Sequence, residues 1–141
     1  MRLLLLIPFA TPALAWEFTP GLPCLLTHET AQARIELTYD PTQPLYSVTV
    51  TKPTPWPDAP TFGMRFDGPQ ARAIGTDRHV RSANGLSLSV RDSGFGNVLD
   101  GLQYNHSATA IAGDTELTFP LDGAAGPVAA FRACDAAPLA S

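Results

Sequence analysis

Two cysteines, Cys24 and Cys134, stand 110 positions apart in this chain of 141 residues. A bond between them ties the two ends of the molecule together and encloses nearly everything in between. In the chain-entropy view a loop of that length is stabilised by about 4–5 kcal/mol, less any strain in the native state. Two cysteines in an exported chain most often pair; the other reading is two separate buried thiols. The segment ending on the second cysteine, Leu121 to Cys134 (LDGAAGPVAAFRAC), reads as a short closing helix. Asp122 is a candidate cap, and Pro127 is tolerated only in a first turn, so regular helix is predicted from near Gly126. Val128 and Phe131 then face a sheet, with Cys134 one turn further on.

The oxidising compartment that such a bond needs is written at the start of the chain, MRLLLLIPFATPALA. Arg2 supplies a positive end, Leu3 to Phe9 a short apolar run, and Ala13-Leu14-Ala15 a small-x-small cleavage site. Together they predict a secretory signal peptide over 1–15, too short to span a bilayer. The expected product is one β-rich domain over 16–134 with a flexible tail over 135–141, periplasmic or secreted. No cysteine follows the cut, so no lipid anchor is expected, and no later stretch is apolar for long enough to insert in a membrane. Losing Arg2 with the leader takes the net charge from −4 to −5. An acidic domain whose lone lysine is Lys52 is a poor phosphate binder, and nucleic acid is not an expected partner.

The middle of the chain alternates with a period of two. Cys24 to His28 reads as a first strand. Ile35, Leu37 and Tyr39 share one face of the next, and Tyr46, Val48 and Val50 one face of a third, the last two joined as a hairpin across Asp40–Pro44. Phe62, Met64 and Phe66 point inward from a fourth. Ala71 to Val80 is a weaker strand, expected to pair as a hairpin with Leu86 to Arg91 across the turn Ala83-Asn84-Gly85. Phe95, Val98, Leu99 and Leu102 recur at helical spacing. Ala108–Ala112 and Thr115–Leu121 are two more strands around Gly113-Asp114. Trp16 to Pro23 is an extended lead-in. About eight short strands with proline and glycine turns, plus two short helices, predict a mainly β fold, an antiparallel sandwich or partly open barrel.

Between these strands lie the candidates for chemistry. Pro53, Pro55, Pro57 and Pro60 make a polyproline-like loop around Trp56, because proline cannot donate to a central ladder. Trp56 is either a lid on the core, as the usual burial of large aromatics favours, or a stacking surface for a ligand. Thr76-Asp77-Arg78-His79 with Arg81 is the densest polar cluster. Asp77 and His79 share a strand face and suit an acid/base pair or two metal ligands, although a metal needs three or four; the plainer reading is a solvated face. Ser93 to Asn97 is either a recognition loop anchored by Phe95 or the approach to the helix. Asn105-His106-Ser107 matches a glycosylation sequon. His28-Glu29 lacks the second histidine of a zinc-protease helix, no serine sits in a G-x-S-x-G elbow, and there is no phosphate-cradling loop. The residues therefore point to a binding or structural module with no catalytic residue, metal or cofactor. Its ligand surface would use Trp56, Arg78, His79 and Arg81, its partner an extended peptide on a free sheet edge. The alternative is a small hydrolase or metal enzyme built on Asp77 and His79.

From Gly94 to Cys134 the order helix, strand, glycine turn, strand and alanine-rich helix resembles the C-terminal half of the invasion-associated locus B family of small periplasmic proteins. Leu99, Leu102, Leu121, Gly123 and Ala129-Ala130 carry that resemblance, which implies a β-rich periplasmic domain. The full length is more similar to a group of small exported bacterial proteins of uncharacterised role. Neither resemblance implies catalytic residues.

Overall fold

A computed structural model describes residues 15–136. The expected signal peptide lies outside them except for Ala15, as does the expected tail from Ala137 onward. Among the described residues the chain forms ten strands and two helices. One sheet has the order β1 (Glu17–Thr19), β2 (Cys24–Glu29), β3 (Arg34–Asp40), β4 (Leu45–Thr51), β8 (Ser87–Asp92), β7 (Val80–Arg81). The other has the order β10 (Thr115–Pro120), β9 (Ser107–Ala112), β5 (Phe62–Asp67), β6 (Arg72–Thr76). Every pairing is antiparallel. The period-two pattern does the work: Ile35, Leu37, Tyr39, Val48, Val50 and Leu88 from one sheet meet Phe62, Met64, Phe66 and Phe119 from the other in a single core. The result is a sandwich, with no closed barrel among the described residues.

The expected hairpin between Ala71–Val80 and Leu86–Arg91 does not form as one unit. Arg72–Thr76 pairs with β5, whereas Val80–Arg81 pairs with β8 in the opposite sheet. The polar run between them makes a turn, in which the Arg78 N–H donates to Thr76 Oγ1 at 3.0 Å. That turn carries the chain across the sandwich, a change of sheet that local alternation does not encode. The lead-in also holds a short strand, β1.

Two helices pack against each other and against the sheets. α1 (Gly96–Gln103) follows the Phe95 spacing and buries Val98, Leu99 and Leu102. Gly101 lets it approach the sheet: a Cβ there would fall 2.4 Å from the Phe66 ring. α2 (Ala125–Ala136) has Pro127 in its first turn, as expected, and runs past Cys134. Asp122 is not its cap; the turn Leu121–Ala124, closed by Ala124 N–H to Leu121 C=O at 3.0 Å, intervenes. Val128 and Phe131 are fully buried. Cys134 is bonded to Cys24 at the head of β2, with Cα atoms 6.6 Å apart, within ordinary disulfide reach. Among the described residues no helix is long and apolar enough to cross a membrane.

Candidate functional site

The polar cluster around residue 78 is divided by the turn that carries it. His79 Nε2 bonds the Ala59 carbonyl at 3.0 Å, and Arg81 Nε donates to the Trp56 carbonyl at 2.8 Å. Both side chains clamp the proline loop against β7. Trp56 itself turns inward. Its ring is 1% exposed, its Nε1–H donates to the Val50 carbonyl at 3.2 Å, and it meets Phe62 edge-on at 6.2 Å. The ring is a lid on the core, and no face of it is open for a partner to stack on. Asp77 is exposed, and among the described residues no group of three or more His, Cys, Asp or Glu is placed to hold a metal. Arg78 alone leaves the cluster, reaching Asp92 on β8 at 3.3 Å.

That ion pair spans the mouth of a groove of about 460 Å³ between the sheets. The reason for the groove is topological. β6 is the last strand of its sheet, and nothing pairs it to β8 across the gap. Val48, Phe62, Met64, Ile74, Val90 and Phe95 line it with apolar surface, while Thr76, Arg78, Asp92 and Asn97 form a polar rim. Ile74 and Val90 are only partly buried, so the apolar floor stays open to solvent. Phe95 is held from beneath: its ring stacks on Tyr46 at 5.4 Å, and its carbonyl accepts the Leu99 N–H at 2.8 Å. The segment Gly94–Asn97 is therefore both the approach to α1 and one wall of the groove. Cavities of this size, apolar with a few polar groups at the edge, suit small ligands or single side chains.

Sequence reasoning reached Arg78 and the Ser93–Asn97 segment with Phe95, but did not single out Met64, Ile74 or Val90 as part of a site. The signal available was Ile74, a large apolar residue between Ala73 and Gly75 with no apolar neighbour in phase. The sequon residue Asn105 proves structural. It is buried, its Nδ2 donates to the carbonyls of Gln70 at 2.9 Å and Gly101 at 3.0 Å, and its Oδ1 accepts from the Gln70 N–H at 2.9 Å. A glycan on that nitrogen displaces these bonds.

A second buried polar group lies at the opposite side of the sandwich. His28 is sandwiched flat against Trp16 at 4.7 Å and edge-on to Phe119 at 6.4 Å, and neither ring nitrogen has a hydrogen bond of normal geometry. Burial pushes its pKa below 6.5, and the nearby Ala15 carbonyl offsets only part of that shift. Its apolar surroundings make it part of the core.

No protein-family model, curated protein or solved structure matches this chain, so its own residues carry the functional reading.

Proposed function

We propose that the protein is an exported binding module whose working part is the groove between β6 and β8, which receives an apolar group of its partner. The open apolar floor beneath the Arg78–Asp92 pair is the observation that supports this reading. An apolar surface of this kind is stabilised when a partner covers it, at about 25 cal/mol per Å². The enzyme alternative has less support: the His79 Nε2 is bonded to the Ala59 carbonyl, and the Asp77 side chain stands exposed. Export is supported by the leader pattern at 1–15 and by the Cys24–Cys134 bond, which persists best in oxidising compartments. A pull-down from periplasmic extract with the wild type beside Val90→Trp, a variant that fills the groove, tests the reading. A partner captured by the wild type and lost by the variant is expected; a partner held equally by both removes the groove from consideration.

A further inference from the structure

The groove lies beside an unprotected backbone edge. The Ile74 carbonyl oxygen lies 3.1 Å from the position a Cβ on Gly63 would take, and the Phe62 carbonyl stands 3.7 Å from the corresponding position on Gly75. Gly63 and Gly75 are register partners. Both carbonyls therefore point into the β5–β6 ladder, so Ile74 and its alternates Arg72 and Thr76 exchange hydrogen bonds with β5. Ala73 and Gly75, by the same alternation, aim their N–H and C=O groups away from the sheet, and both residues are exposed. Natural sheets guard such edges with proline, charge or very short strands. The other edges fit that rule: β1 and β7 have three and two residues, and β10 carries Glu116 and ends on Pro120. On β6 only the Arg72 end is covered, by Asn97 and Asp100 of α1. Among the described residues no strand pairs with the outer edge of Ala73 to Thr76, and Gly75 adds no side chain in the way.

We propose, building on the groove reading above, that the occupant is an extended, uncharged polypeptide segment that adds to β6 as a fifth strand of its sheet. Its backbone bonds the outward N–H and C=O groups of Ala73 and Gly75. The side chain next to Ile74 points inward, as the pleat requires, and fills the groove between β6 and β8. Charge favours a peptide over a headgroup-bearing amphiphile. Arg78 and Asp92 neutralise each other at the rim, so a carboxylate head has to break that pair, whereas a backbone does not.

The probe is a capped, dye-labelled hexapeptide alternating threonine with leucine, titrated by fluorescence anisotropy against the full mature chain. The apolar dye anilinonaphthalene sulfonate reports the groove alone. Ala73→Pro and Gly75→Pro each remove a donor aimed at the free edge and none from the β5 ladder, a position where proline is tolerated. Each is expected to weaken the peptide by about tenfold, and Ala73→Pro, which lies outside the groove lining, to leave the dye unaffected. A hexapeptide N-methylated at alternate residues carries the same test to the unaltered protein, should a proline variant fail to fold, and is expected to lose affinity by a similar factor. Peptide binding indifferent to all three changes overturns strand addition. A wild type that binds the dye but not the peptide also overturns it, while leaving the groove reading intact. A wild type that binds neither overturns both.

Discussion

The sandwich has two seams, and they are built differently. At one, β1 meets β10: Trp16 donates its indole N–H to the Pro120 carbonyl at 3.0 Å, His28 fills the space against Phe119, and α2 packs over β1 and β2. The Cys24–Cys134 bond pins that helix down. At the other, β6 stands apart from β8, and one exposed ion pair bridges a cavity. Both seams have apolar residues to bury. The first has a helix laid across its strands to bury them against; at the second, α1 covers only the Arg72 end of β6 and one wall of the groove. An element that covers its own core residues is stability, whereas an uncovered floor at a bare edge is available to something else.

The difference is open to test, beginning where the effect is largest. Phe131→Ala at the closed seam is expected to lose about 3–5 kcal/mol in urea unfolding, against about 1–2 kcal/mol for Ile74→Ala at the open one, which is partly exposed. Equal losses dissolve the distinction. Replacing both Cys24 and Cys134 by serine should remove about 2–5 kcal/mol while keeping the β circular-dichroism signature. Intact mass under non-reducing conditions checks the bond itself, since two free thiols contradict it. Asn105→Ala, which leaves three backbone groups without their partner, is expected to lose about 1–3 kcal/mol. Retention of full stability there shows that the amide is dispensable.

The closed seam should also carry the pH dependence. His28 is held neutral, with its folded pKa below 6.5. The unfolded chain therefore binds the proton more tightly. Its contribution is complete above the unfolded value and is lost as pH falls through the lower folded value. Urea midpoints at about pH 7.5 and about pH 5 should differ for the wild type and converge for His28→Phe. Asp40, held below 3.8 mainly by the Thr42 hydroxyl and then by the Thr42 N–H, acts only in a more acid window. A wild-type midpoint flat across the upper range contradicts the assignment to His28. The smallest effect belongs to Arg78→Ala, about 0–1 kcal/mol, because an exposed pair contributes little. A larger loss makes that pair part of the fold and not only a contact at the rim of the groove.

The longer strands, their inward faces and both helices were legible in the sequence, because each depends on a period carried by neighbours: Ile35 with Leu37 and Tyr39, or Val98 with Leu102; the three-residue β1 is too short to show one. The closing bond was legible too, since Cys24 and Cys134 had no other cysteine to choose. The division of Ala71–Val80 between two sheets was not, because a strand's partner is decided by where distant strands lie and not by its own alternation. For the same reason Trp56, Arg78, His79 and Arg81 looked like one surface along the chain. Tertiary packing turned Trp56 inward, gave His79 and Arg81 to the proline loop, and left Arg78 at the edge of a groove. The groove itself is a gap between strands far apart in sequence, and a gap has no residues of its own for a sequence to show.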